Sequence, residues 1–302
     1  MRGPDDAVVR HAMLDHLARL RAASPTGAVH RDALNAFWVE GVHIPLVVQQ
    51  GIRKPAWLDA ALAIRTAYTP PGARPPYEDD LAGAGDGFVR YHYRGTDPAH
   101  ADNRALRAAR VARLPLAYLL GVEPGWYFPF APVWIVGEEP SRAQFVVAVD
   151  EGQLYLEDRS GSGDARTYAQ RLAKVRLHQP MFRARVLRAY ESTCAICGLR
   201  HGELLDAAHI VPDGRPRGDA VVPNGLALCK LHHAAFDRNL LGVRPDLVVE
   251  LTGALRDEVD GPMLRHGLQE MAGRRLQMPR ERAARPDRDR LEERYEEFRR
   301  AS

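Results

Sequence analysis

The sequence predicts an α+β protein of two domains, a mostly β amino-terminal domain with flanking helices and a smaller, metal-stabilised carboxy-terminal one. Three observations carry this. Strand-like runs crowd the stretch from 43 to 150, a segment of linker composition ("EDRSGSGDA", 157–165) follows them, and all three cysteines lie beyond that segment. At 302 residues, 45% hydrophobic and 27% charged, the chain is long enough to bury two cores and too apolar to be disordered throughout.

Residues 5–22 read as an opening helix, because Val8, Met13, Leu14, Leu17 and Leu20 recur at roughly helical spacing. Strands are expected at "HIPLVVQQ" (43–50), "GFVRYHYRG" (87–95), "PLAYLLGV" (115–122), "APVWIVG" (131–137) and "QFVVAVD" (144–150), each bounded by Gly, Pro or Asp. A helix over 101–114, "ADNRALRAARVARL", separates the second from the third. The first domain therefore runs over 1–157, a linker and basic helical segment interrupted by Pro180 over 158–192, and the second domain over 193–302, closing on a charged helix after Pro286. No apolar run approaches a membrane span, and "MRGPDDAVVRHAML" carries charges where a signal peptide needs an apolar stretch, so no membrane partner and a cytoplasmic location are expected.

The net charge of +3 does not announce a nucleic-acid binder, but its distribution is suggestive. Between Ala165 and Tyr190 stand Arg166, Arg171, Lys174, Arg176, Arg183, Arg185 and Arg188 without an acidic residue. Such a stripe suits phosphate contact, with Arg176 and Arg183 as candidates, or equally a solvated helix face.

The chemistry is concentrated further on. "TCAICGLR" sets Cys194 and Cys197 with two residues between them, and "LCKLHHAAFD" sets Cys229 and His232 at the same gap. The pattern CxxC…CxxH would close a tetrahedral Cys3His zinc site that uses every cysteine of the chain. Four protein ligands leave no open position for water, so this zinc is structural.

Between the half-sites lie "AAHIVP" and "PNGLALC", and after them "HHAAFD". These motifs resemble the HNH family of nucleases over about 193–249, with the three signature positions on His209, Asn224 and His233. The resemblance implies a ββα-metal fold, two strands and a helix around one divalent ion, Mg²⁺ or Mn²⁺. His209 would then be the general base, since a neutral imidazole takes a proton from water near neutral pH. Asn224 would hold the loop and His209 through backbone hydrogen bonds, and His233 would ligate the ion. The adjacent histidines thus divide their work, His232 to the zinc and His233 to the catalytic ion. Many members carry Asp or His just before the base as a second ligand, where this chain has Ala208. Asp237, one turn after His233, is the expected substitute, with an ordinary surface Asp as the alternative. Asp206 is the weaker candidate, because strand alternation sets it on the face away from His209.

"YHYRGTDPAHADNRALRAA" and "PLAYLLGVEPGWYFPFAPVWIVG" are similar to the amino-terminal domains of McrA-like, modification-dependent (type IV) restriction proteins, whose readers are β-barrels of the SRA type in the PUA-like superfamily. This implies that the first domain holds a modified base. Trp126, Tyr127, Phe128 and Phe130, read as a Gly/Pro-bounded loop, would stack on an extruded base, and Tyr91, His92, Tyr93 and Arg94 would add edge or phosphate contacts; an aromatic barrel core is the alternative. The expected protein is an endonuclease acting on double-stranded DNA that carries modified cytosine, 5-methylcytosine foremost. One site serves one strand, so a homodimer is the simplest route to a double-strand break. A nuclease for unmodified DNA and a zinc-stabilised DNA-binding protein without activity are the alternatives.

Overall fold

The computed structural model describes residues 3–70, 86–154 and 163–301. Part of the 157–165 linker falls outside these. The chain divides into two compact units, Met1–Met181 and Phe182–Ser302.

The first unit opens with α1 (Asp6–Ala23), whose Asp5 side chain caps the Ala7 N–H and whose Val9, Met13 and Leu17 are buried. The elements β1 (Val29–His30), α2 (Arg31–Asn35), β2 (Trp38–Val39), β3 (Val42–His43), β4 (Ile52–Arg53), β5 (Ala63–Thr66), β6 (Val89–His92), α3 (Ala101–Val111), β7 (Leu116–Glu123), β8 (Trp126–Glu139), β9 (Gln144–Ala148) and α4 (Glu151–Leu154) follow. The sheet order is β4-β5-β7-β8-β9-β6, with β1 also on β8; β5 and β7 are parallel and the other pairs antiparallel. Strand β8 pairs with β7 through Val133 and with β9 from Trp134 onward, with a register shift between Ile135 and Gly137, and the sheet curls into a half-barrel around this exchange of partners.

Two expectations are corrected here. Of 43–50 only His43 is in a strand. Pro45 has no N–H to donate, and Asn35 takes the place of a neighbouring strand: its Oδ1 accepts from Val47 N at 2.7 Å and its Nδ2 donates to Val47 O at 3.2 Å. Nor do residues 126–130 form a loop. They begin the longest strand of the sheet, and Tyr127, Phe128 and Phe130 are buried.

Helices α5 (Gly163–Ala173) and α6 (Gln179–Ala189) flank a π-helical turn, Lys174–His178, placed where Pro180 cannot donate to the preceding turn. The second unit takes α6 from Phe182 onward and adds β10 (Leu205–His209), β11 (Gly225–Cys229), α7 (Lys230–Asp237), β12 (Leu241–Val243), β13 (Val249–Leu251), α8 (Gly253–Asp257), α9 (Pro262–Gly267) and α10 (Arg288–Ala301). Strands β10 and β11 form an antiparallel hairpin that pairs His209 with Gly225 and Leu205 with Cys229. Phe182, Val186 and Leu187 of α6, Ala235 and Phe236 of α7 and Leu291 of α10 join the hairpin in one core. Gly225 admits α6 there, since a Cβ would lie 2.4 Å from Val186. Among the described residues no helix is long and apolar enough to cross a membrane.

Candidate functional site

Two groups of residues are built on the β10–β11 hairpin and α7. Cys194, Cys197, Cys229 and His232 bring their ligand atoms within 4.8 Å of one another. His232 Nδ1 lies 3.0 Å from Cys229 Sγ and 3.5 Å from Cys194 Sγ, while its Nε2 donates to Gly267 O at 2.8 Å. That outer bond leaves Nδ1 with its lone pair toward the sulfurs, the arrangement a metal-ligating imidazole requires. Cys194, Cys229 and His232 are buried and Cys197 is exposed. Hydrogen bonds from Cys197 and Cys229 hold the Cys194 thiol far below its ordinary range. Burial would lower the His232 imidazole, but the Cys194 and Cys197 sulfurs push it up to about 9. Three clustered thiols cannot all ionise without a cation to offset them, so the donor set fits zinc.

The second group is spread along the hairpin and α7. His209, at the end of β10, lies against the Phe182 ring, with centroids 4.0 Å apart and planes 20° apart. Asn224 is fully buried. Its Oδ1 accepts from Val211 N at 2.9 Å, and its Nδ2 donates to Val211 O at 3.0 Å and Asp219 O at 3.1 Å. Its backbone carbonyl accepts from Ile210 N at 2.9 Å, so one residue ties both ends of the loop that follows His209. From outside, the same loop is bound toward α10: Arg215 pairs with Glu297, Arg217 with Asp287 at 3.3 Å, and Asp219 with Arg290 at 2.9 Å.

His233 projects along α7 with a carboxylate near each ring nitrogen. Nε2 stands 3.2 Å from Asp237 Oδ2, and Nδ1 stands 3.8 Å from Asp206 Oδ2. The hydrogen bond with Asp237, against some burial, raises the His233 pKa, and the Asp206 charge adds to this. Burial acts to raise Asp237, yet the His233 bond and charge hold its carboxyl below the usual range. Asp206 does lie on the Ala208 face of β10, as alternation requires. That face is the one α7 covers, so Asp206 reaches His233 although it points away from His209: its Oδ2 also accepts from Lys230 Nζ at 2.7 Å, and Arg183 Nε approaches Oδ1 at 3.5 Å.

Residues 194–244 match the HNH endonuclease family. The chain carries an HNH endonuclease domain and is a nuclease. A solved structure, a modification dependent TagI restriction endonuclease, is 21% identical over 88% of this chain and 89% of that chain, with a TM-score of 0.31. No curated protein matches the chain.

The residues named for base reading are not gathered on one surface. Tyr91, Tyr93, Tyr127, Phe128 and Phe130 are core, a correction to the reading that exposes them. Tyr91 donates to Gly51 O at 3.2 Å, Tyr93 donates to Glu138, Tyr127 accepts from Arg65 at 3.1 Å, and Phe128 packs on Phe130 under Arg21. Both faces of a strand are covered where the sheet curls, which alternation alone does not reveal. His92, Arg94 and Trp126 are half-buried; Arg94 pairs with Asp102 and Trp126 packs on His30. In the basic stripe, Arg176 meets Asp150 at 2.7 Å, and Arg183 donates to Gly202 O and Leu205 O besides meeting Asp206. Acids absent from the local sequence thus arrive from elsewhere in the fold. Phe182, Lys230 and the Gly267 carbonyl were invisible to motif reading, because none belongs to a spaced pattern.

Proposed function

We propose that the chain is a modification-dependent DNA endonuclease: the first unit reads modified cytosine, 5-methylcytosine foremost, and the second hydrolyses the phosphodiester, for restriction of foreign DNA. The observation that carries the hydrolytic half is the set His209, Asn224 and His233, spread over one hairpin and its following helix inside a segment that matches a nuclease family. The reader half rests on the resemblance of the first unit's sequence to McrA-like readers of the SRA/PUA type.

In this reading His209 accepts the proton of the attacking water while Phe182 holds its ring flat. Asn224 keeps the ends of the 211–219 loop together, so the strand end that bears His209 is preorganised. His233 and Asp237 offer an imidazole nitrogen and a carboxylate that would hold Mg²⁺ or Mn²⁺. Such an ion, when bound, neutralises charge on the scissile phosphate and the leaving oxygen. Zinc in the Cys3His group contributes folding free energy, not chemistry. A homodimer would bring two sites to the two strands.

Burial of the aromatic residues favours a second reading, a nuclease for unmodified sequence or structure. The full chain carrying His209→Ala, which binds without cutting, decides between them on otherwise identical unmodified, methylated, hydroxymethylated and phosphorothioated duplexes. At least tenfold tighter binding to one modified duplex is expected; equal affinity for all four would establish the second reading.

A further inference from the structure

We infer that Asp206 is a positioning residue for His233, fixing the edge of its ring that carries Nδ1 so that Nε2, beside Asp237, faces the ion. The inference rests on the reading of His233 as a metal ligand and extends it to the residue that orients that ligand.

His233 stands between two carboxylates that approach opposite ring nitrogens, Asp237 from the next turn of its own helix and Asp206 from strand β10. Only one nitrogen of an imidazole can ligate, and the other then bears the proton. A ligating imidazole ordinarily gives that proton to a carboxylate or carbonyl, which sets both tautomer and ring plane. Asp237 lies at 3.2 Å from Nε2 and is 56% exposed, placed to share an ion with that nitrogen. Asp206 is less exposed, at 29%, and is committed from several sides: Lys230 Nζ at 2.7 Å, the Arg183 guanidinium at 3.5 Å, and the Ala207 N–H at 3.0 Å. Those contacts hold the carboxylate in one place. A carboxylate so restrained is a poor choice to wrap an ion and a good one to anchor a neighbouring ring.

The position has a chemical reason as well. Ala208 has no donor to offer an ion, and Asp206 projects from the same face of the strand, two residues earlier, into the same helix. The chain thus sets its acid one step further back, at the outer edge of His233 in place of the ion itself. Lys230 falls at i and His233 at i+3, so Asp206 bridges two neighbours on a single stripe of α7.

The test measures Mn²⁺ affinity by electron paramagnetic resonance of the free ion on the full chain, with zinc content and melting temperature recorded alongside. Asp206→Asn, close in shape, is expected to weaken Mn²⁺ binding by roughly tenfold, the usual effect of losing an outer partner, with zinc unchanged. Asp206→Glu should recover most of that loss. His233→Ala is the reference and should abolish the binding altogether. An Mn²⁺ affinity within twofold of wild type in Asp206→Asn, beside a null His233→Ala, overturns the positioning role alone. Unchanged binding in His233→Ala overturns the metal-ligand reading and this inference with it. Should Asp206→Asn melt early, the ring-nitrogen shifts of His233 in the Mg²⁺-loaded wild-type chain decide: a proton on Nδ1 is expected, and a proton on Nε2 overturns the inference.

Discussion

Phe182 lies face to face with His209, ring centroids 4.0 Å apart, so the residue assigned as base is held by a side chain from a different element. A flat contact restricts ring rotation in a way an aliphatic neighbour does not. Phe182→Leu should therefore lower the cleavage rate by about tenfold or more, since a displacement of about 1 Å at a reacting group can cost a hundredfold. Single-turnover cleavage at saturating metal checks this. A wild-type rate in a folded variant would show that the stack serves packing alone.

Asn224→Ala would strip partners from Val211 N–H, Val211 C=O and Asp219 C=O together. Each buried group left without a partner costs about 1–3 kcal/mol, so a loss of about 3 kcal/mol in all is expected. At roughly 4 °C per kcal/mol this is a fall of about 12 °C in the melting temperature. Asn224→Asp, which retains the acceptor but sets a carboxylate oxygen against the Val211 and Asp219 carbonyls, should fall at least as far. Calorimetry on the three proteins gives the order.

His232→Ala and His233→Ala should separate cleanly. The first opens the Cys3His group and removes the bond to Gly267, so zinc content and melting temperature should both fall, and a chelator acting on the wild type should reproduce the effect. The second should keep zinc at the wild-type level and abolish cleavage. Zinc retained in His232→Ala at an unchanged melting temperature would contradict the division.

The His233–Asp237 pair makes the metal-free protein pH-sensitive in a definite direction. His233 is raised in the folded state, so its contribution is complete below its unfolded pKa and lost as pH rises through the raised value. Asp237 is lowered, so its contribution is complete above its unfolded pKa and lost as pH falls through the depressed value. Stability from the pair should peak at mildly acid pH and decline on either side. Asp237→Asn should flatten that profile relative to wild type in zinc-loaded protein prepared without Mg²⁺ or Mn²⁺. Metal binding runs the other way, because it needs neutral His233, and should weaken as pH falls.

Much of the nuclease unit was readable because its signals are local. Ligand pairs with two residues between them fall on one turn, and His209, Asn224 and His233 are named by short motifs. The first unit was less readable. Pro132 and Gly137 look like punctuation, yet they lie within β8, which changes partners without breaking. Ile44 and Leu46 alternate like a strand, but their segment is held at Val47 by Asn35 from a helix. The burial of Tyr127 and Phe128 depends on how far the sheet curls, a property of all seven strands and of none singly. The same holds for Asp206, whose importance appears only when α7 is laid across β10.

The opposed charges joining the 211–219 loop to α10 have a consequence for how the protein can change over generations. Arg215 and Glu297, Arg217 and Asp287, and Asp219 and Arg290 are separated by most of the domain in sequence yet matched in charge across space. A substitution at one end leaves its counterpart facing a like charge or none, so a change in one segment is expected to be matched in the other. Homologous chains should exchange charge sign at these positions in pairs, and a chimera that takes the loop from one homologue and the final helix from another should lose the order of the loop behind His209 although every catalytic group is still present.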